Sequence, residues 1–184
     1  MSVKTTIIGM GNMGTAIADR LAAVGDFDVI GCERGDDVNK KVNDADLVVL
    51  AVKPQSFEEL VGAISVDVSE KLIISIMAGT TIQILSEKLG AKKVVRSIPN
   101  LGSLTGDGVT GWVASGDVQD KESVEQFFVA LGHQFELAAE SELDAFGAVT
   151  ASGPGYFFYL TQLLEEKAVE FGFESEQARH MAIY

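Results

Sequence analysis

Short apolar runs alternate with amphipathic stretches along most of the chain. Residues 4–9 form the first run, with β-branched Ile7 and Ile8 suited to a central strand. Over residues 12–24, Ile17, Leu21 and Val24, flanked by Ala16 and Ala18, recur at helical spacing, and Gly25 supplies a C-terminal cap. Residues 27–32 read as a second strand. Residues 35–45 are short, polar and acidic, with room for a turn and about one helical turn, not for a full crossover helix and another strand. Residues 46–52 (Asp-Leu-Val-Val-Leu-Ala-Val) are continuously apolar, as a strand buried on both faces requires. Pro54 stops that strand and opens a helix with Phe57, Leu60, Val61 and Ile64 on one face. Residues 72–76 form another buried strand, followed by the loop Met77-Ala78-Gly79. Thr80 or Thr81 caps a helix carrying Ile82, Leu85 and Leu89, and Gly90 ends it. Strands follow at 93–97 and 109–114, the latter with a half-buried Trp112. Asp120 starts a helix through Val124, Phe127, Phe128 and Leu131. His133 falls in a loop before a strand at 134–137 and reads as a surface or packing residue.

This alternation predicts an α/β fold: a mainly parallel sheet with helices on both faces. Beyond residue 137 the pattern changes. Residues 142–150 are helical, 151–156 (Ala-Ser-Gly-Pro-Gly-Tyr) break the helix, and 156–173 form a long helix with Phe157, Leu160, Leu164, Ala168 and Phe171 on one side. Another helix begins at 174, and the sequence stops within it. The chain divides into a sheet domain over 1–138 and the start of an all-helical domain over 139–184. Two helices with apolar faces cannot close a core alone; they call for more chain or another subunit.

The 184 residues are 47% hydrophobic, which supports a packed core and excludes a disordered chain. Lys and Arg number 14 against 27 Asp and Glu, a net charge of −13 with no basic run, which argues against nucleic acid and anionic membrane as partners. The single cysteine, Cys32, rules out an internal disulfide and fits a cytoplasmic protein, with the thiol as core filler. No signal-peptide pattern and no membrane-spanning run is present, and no metal site is expected.

The chemistry concentrates where the first strand meets the first helix. Gly9, Gly11 and Gly14 fit G-x-G-x-x-G: the first allows a tight turn, the second a close backbone approach to a pyrophosphate, the third close packing of helix on strand. The free N–H groups and dipole of the following helix would meet the phosphate charge. About twenty residues on, at the end of the second strand, Glu33 stands where a ribose-binding carboxylate belongs. The adjacent Arg34 is suited instead to a 2′-phosphate or to stacking on adenine. The two residues point to different cofactors, leaving NAD and NADP both open. Lys53 lies at a strand's carboxyl end, where open α/β sheets bind ligands.

Five segments spread along the chain, Ile8-Gly9-Met10-Gly11-Asn12-Met13, Ala51-Val52-Lys53-Pro54-Gln55, Ser75-Ile76-Met77-Ala78-Gly79, Arg96-Ser97-Ile98-Pro99-Asn100 and Thr150-Ala151-Ser152-Gly153-Pro154-Gly155-Tyr156, together resemble the pyrroline-5-carboxylate reductase family. The resemblance implies a Rossmann-like domain followed by a helical dimerisation domain that interlocks with a second subunit, giving a homodimer or a higher homo-oligomer of dimers. It implies hydride transfer from NAD(P)H to the C=N carbon of 1-pyrroline-5-carboxylate, giving L-proline, with the cofactor carrying the hydride chemistry. By the same resemblance Ile8 to Met13, with Gly14 behind them, hold the pyrophosphate; Arg34 contacts the adenosine ribose or its phosphate, with Asn39 near that phosphate; Ala51, Val52, Lys53 and Pro54 and Ile76, Met77 and Ala78 line the nicotinamide side; Asn100 sits near the nicotinamide; and Glu140 is the acidic residue close to the substrate. A carboxylate there would favour the protonated imine, the better hydride acceptor; a helix-terminal carboxylate favoured by the dipole is the alternative for Glu140. Lys53 is expected to orient the cofactor rather than donate the proton.

The sequence departs from the family pattern in its short 35–45 connector, in Pro-Gly-Tyr where Pro-Ala-Tyr is usual, and in stopping before the family's Ser-Pro-Gly-Gly-Thr-Thr-like substrate loop. Two other readings stand beside the reductase: a related 6-phosphogluconate-dehydrogenase-like enzyme, and a nucleotide-binding remnant without catalysis.

Overall fold

The computed structural model describes residues 2–184. Its centre is a seven-stranded sheet in the order β2-β1-β3-β4-β5-β6-β7. The strands are β1 (Val3–Ile8), β2 (Phe27–Cys32), β3 (Leu47–Leu50), β4 (Leu72–Ser75), β5 (Lys93–Ile98), β6 (Gly108–Ala114) and β7 (Gly132–Glu136). All pairings are parallel except β5 with β6. The interleaved helices are α1 (Asn12–Val24), α2 (Val38–Asn43), α3 (Phe57–Ala63), α4 (Ile82–Leu89) and α5 (Lys121–Val129), with 3-10 turns at Pro54–Ser56 and Leu101–Leu104.

Successive side chains of a strand point to opposite faces, and the apolar strands split accordingly. Ile7, Val49, Ile74 and Val95 join one core with Ile17 and Leu21 of α1 and Phe127 and Phe128 of α5. Their neighbours Ile8, Val48, Ile73 and Val94 join the other, with Val42, Phe57 and Leu85 from α2, α3 and α4. An apolar run without polar alternation is therefore the signature of a strand covered on both sides.

The connector from β2 to β3 passes over β1 with only six residues of helix. Thr6 donates its hydroxyl to the Lys41 carbonyl at 2.9 Å, tying α2 down on β1. Among the described residues no strand lies outside β2, so β2 is an edge of the sheet, consistent with the length of 35–45.

The helical region begins with α6 (Glu142–Thr150), which packs on β5 and β6 so closely that a Cβ at Gly111 would lie 2.6 Å from the Phe146 ring. Then come α7 (Gly153–Glu170) and α8 (Ser175–Ile183), which pack against each other and bury Ala168 and Ala178.

Several local expectations change. Trp112 is fully buried rather than half-buried, stacked on Phe128 with its indole N–H given to Gln134 Oε1 at 2.6 Å. His133 belongs to β7, where its backbone pairs with Val109; the strand starts earlier because Gly132, at φ +129°, turns straight into the ladder. The break at 151–156 is shorter than expected. Pro154 sits in the first turn of α7, where a missing N–H costs nothing, so the helix starts at Gly153 instead of at Tyr156.

Candidate functional site

The order of strands reverses between β1 and β3, because the chain leaves β1 for β2 on one side and reaches β3 on the other. A crevice opens beyond the carboxyl ends of strands at such a point. β3 ends at Leu50, so Ala51, Val52 and Lys53 leave the sheet there. Their position beside the glycine turn is fixed by backbone bonds: Ala51 N–H to the Ile8 carbonyl at 2.8 Å, Gly9 N–H to the Cys32 carbonyl at 3.0 Å, and Ile76 N–H to the Leu50 carbonyl at 3.1 Å. The ends of β1, β2, β3 and β4 thus meet along one rim.

The three glycines of the turn differ in what they permit. Gly9 has φ +100°, and a Cβ there would sit 2.7 Å from the Ala51 carbonyl oxygen. A Cβ on Gly14 would lie 2.0 Å from the Gly9 carbonyl oxygen, so only glycine lets α1 start against the turn. A Cβ on Gly11 would meet nothing within 4 Å: its flank opens onto the space above the helix N-terminus. Gly11 is also the N-cap of α1, without a side-chain cap and with no acidic residue in the first turn. The arrangement leaves N–H groups and the positive helix end directed outward, the chemistry an anion requires.

Beside the turn lies a crevice of about 410 Å³ lined by Ile8 and Gly9, by Cys32 to Asp36, by Val52 and Lys53, and by Ser56, Glu59, Leu60 and Ala63 of the α3 segment. Asp36 holds the loop after β2: its Oδ2 accepts the Glu33 N–H at 2.8 Å and pairs with Lys41 Nζ at 2.7 Å. The Lys41 hydrogen bond, then that of the Glu33 backbone, hold the Asp36 carboxyl below its ordinary range; the Asp36 hydrogen bond in turn pushes the Lys41 ammonium up. Burial raises the Cys32 thiol, opposed by Lys41, which suits an inert wall residue rather than a thiolate. Arg34 reaches across the crevice to Glu59, a partner 25 residues away in the chain, with Nη2 to Oε2 at 2.7 Å.

Of the residues expected here, Ile8, Gly9, Glu33, Arg34, Val52 and Lys53 line this crevice, while Met10, Gly11, Asn12, Met13 and Gly14 form the adjoining turn. Met77 is buried in the core, so the loop after β4 offers its backbone and Ala78 to the rim rather than the Met77 side chain. Three of the expected residues have side chains engaged in hydrogen bonds within the chain. Asn39 donates to the Ala63 carbonyl at 2.9 Å and accepts from the Ser65 N–H at 2.7 Å; it ties α2 to the end of α3 and does not line the crevice. Asn100 Oδ1 accepts from the Gly102 and Val109 N–H groups at 3.1 and 3.0 Å, and its amide donates to the Thr150 carbonyl at 3.0 Å, bracing β6 against the end of α6.

Glu140 is the third. Its Oε1 accepts the Ile82 N–H at 2.8 Å, at the start of α4, and Arg96 Nη1 at 3.2 Å. The Arg96 guanidinium, 4% exposed as a side chain, also reaches Asp144 Oδ1 with Nη2 at 3.0 Å, while its Nε has no partner. One buried cation on β5 thus gathers the carboxylates that lead into α6. The helix-terminal alternative for Glu140 fits this geometry, although the helix concerned is α4 and not its own. Among the described residues no cluster of His, Cys, Asp and Glu could hold a metal ion, and no helix is long and apolar enough to cross a membrane.

Comparison with known proteins agrees with this architecture. Residues 140–184 match the family profile described as pyrroline-5-carboxylate reductase dimerisation, and residues 36–79 match that of NADP oxidoreductase, coenzyme F420-dependent. The chain is similar to pyrroline-5-carboxylate reductase of Mycobacterium leprae, 34% identical with 97% of this chain and 69% of the relative covered. It is 30% identical to that of Aquifex aeolicus, covering 100% and 75%. Among solved structures, pyrroline carboxylate reductase of Plasmodium falciparum with NADP bound superposes with a TM-score of 0.88 at 25% identity, over 98% of this chain and 74% of that one.

Proposed function

Since the chain belongs to the pyrroline-5-carboxylate reductase family, we propose that it reduces the C=N bond of 1-pyrroline-5-carboxylate to give L-proline, with NADH or NADPH as reductant. The observation that carries this reading is the open flank of Gly11 at the N-terminus of α1, beside a crevice shared by the ends of β1, β2 and β3. The nicotinamide would supply the hydride. The chain's part is to bind and to orient. The glycine turn and the first N–H groups of α1 receive the pyrophosphate, and residues 33–36 with the α3 segment enclose the adenosine. Ala51, Val52, Lys53 and Pro54, with the loop at Ile76, Met77 and Ala78, set the edge along which the nicotinamide ring lies. Lys53 has no carboxylate partner among the described residues, which leaves its ammonium available to a cofactor oxygen. Glu140 acts as a positioning residue that fixes α4 and Arg96.

Residues 1–138 are the nucleotide-binding unit and 139–184 the dimerisation unit in this reading, and the protein works as a homodimer or an oligomer of dimers in the cytoplasm. Support for self-association comes from the dimerisation profile over 140–184 and from the exposed aromatic side of α7.

The test is the fall in absorbance of NADH or NADPH on adding 1-pyrroline-5-carboxylate, with proline measured as product. Turnover with hydroxy acids and not with the imine would favour the related dehydrogenase. Nucleotide binding without turnover on either would favour a binding remnant.

A further inference from the structure

We propose that Glu59 sets the nucleotide preference of the crevice, acting through Arg34 so that the chain binds NADH more tightly than NADPH. The inference rests on the dinucleotide reading above and goes beyond it in assigning a choice between the two cofactors to one residue of α3.

The adenosine end of the crevice is a contest of charges. Its walls carry the carboxylates Glu33, Asp36 and Glu59 against the cations Arg34 and Lys53. Lys41 of α2, which reaches the loop, is committed: its ammonium donates to Asp36 Oδ2 at 2.7 Å and to the Gly31 carbonyl at 2.7 Å. Asp36 is likewise committed, to Lys41 and the Glu33 N–H. That leaves Arg34 as the guanidinium of the loop able to fork onto a phosphate, and Glu59 already holds it at 2.7 Å.

A 2′-phosphate must therefore draw Arg34 away from Glu59. Breaking the pair itself is a small obstacle, because the two side chains are 82% and 67% exposed and such pairs are weak. The larger obstacle is what remains. The freed Glu59 carboxylate, with Glu33 across the crevice, then faces a dianion. A ribose diol brings no charge and donates its hydroxyls to a carboxylate, so NADH enters without disturbing the Arg34–Glu59 pair. Glu59 thus discriminates by staying charged beside the phosphate site.

The experiment is titration of the full chain with NADH and with NADPH, followed by fluorescence or calorimetry, for the wild type, Glu59→Gln, and Glu59→Gln combined with Arg34→Ala. Circular dichroism confirms folding, which an exposed isosteric change preserves. The wild type is expected to bind NADH more tightly. Glu59→Gln is expected to lower the ratio of the NADPH to the NADH dissociation constant about fivefold, chiefly by tightening NADPH, and added salt to narrow the wild-type gap. In the double variant the gain for NADPH disappears, which a merely structural effect of residue 59 would not produce. An unchanged ratio in Glu59→Gln, a gain that survives loss of Arg34, or a wild type that prefers NADPH overturns the role of Glu59 and leaves the nucleotide site standing. Binding of neither nucleotide to the wild type overturns the dinucleotide reading and this inference with it.

Discussion

The turn joining β1 to α1 and the helix pair α7–α8 are opposite ways of using apolar sequence. The first is closed: Ile7, Ile17 and Leu21 are completely buried, and the turn tolerates no atom beyond glycine at position 14. The second is open: Tyr156, Phe157, Phe158 and Tyr159 are each 62–72% exposed, in a helix whose buried residue is Ala168. Both stretches are rich in hydrophobic side chains. The difference lies in whether the chain's own elements supply the opposing surface. A sheet strand finds helices on both faces within a few tens of residues, whereas α7 finds α8 along one side only. An apolar surface of that size marks an interaction face rather than a core.

The comparison can be broken at its tightest point. Gly14→Ala should destabilise the fold by about 3 kcal/mol or more, because the added methyl meets a backbone oxygen that cannot rotate away; urea denaturation measures it, and a loss near zero would mean that the turn is not closed. Gly11→Val, three residues earlier, should leave the unfolding midpoint nearly unchanged while weakening NADH or NADPH roughly 100-fold, about 2.7 kcal/mol, because its side chain enters the space kept for the anion. Normal nucleotide affinity in that variant would contradict the role of the turn.

The junction between the two regions tests a different kind of contact. Glu140→Ala removes the acceptor of the Ile82 N–H and leaves buried Arg96 short of a partner, for an expected loss of about 2 kcal/mol. Glu140→Gln keeps an acceptor oxygen and should recover about half of it. If Glu140→Gln instead folded like wild type but lost most of its turnover, Glu140 would belong with the substrate after all. On the open side, Phe157→Asp should change monomer stability by no more than about 0.5 kcal/mol, since the residue is 72% exposed, yet shift the sedimenting species toward monomer. A large loss of stability in a monomeric sample would show that the α7 face is closed within one chain.

The smallest effect concerns pH. The Asp36 carboxyl has a lowered pKa in the folded protein, so its contribution is fully present above its unfolded-state pKa and is lost as pH falls through the lower folded value. Acid should therefore loosen the loop after β2 only below the range in which an ordinary aspartate titrates, and Asp36→Asn should abolish that transition. An NMR titration of the Glu33 amide reports it directly.

Local chemistry made some of this legible in advance. Gly25 and Gly90 do end their helices in left-handed conformation, Thr81 caps α4 through its hydroxyl, and Asp120 caps α5. Such features depend on residues within one turn of each other, so a sequence window contains the whole interaction. The shortness of 35–45 was equally readable; that β2 lies at an edge of the sheet came from the strand order. Pro154 was a missed signal: proline marks the first turn of a helix as readily as it marks a break.

The sequence alone determined the period of each element, the glycine turn and the sheet class, because apolar spacing and backbone freedom are properties of neighbouring residues. Only the tertiary structure decided that Glu140 caps α4 from 58 residues away, that Asn39 and Asn100 brace loops, that Trp112 is sealed beside Gln134, and that Arg34 faces Glu59. A polar side chain's partner is chosen by distance and desolvation after the elements have packed, and no spacing along the chain encodes that choice.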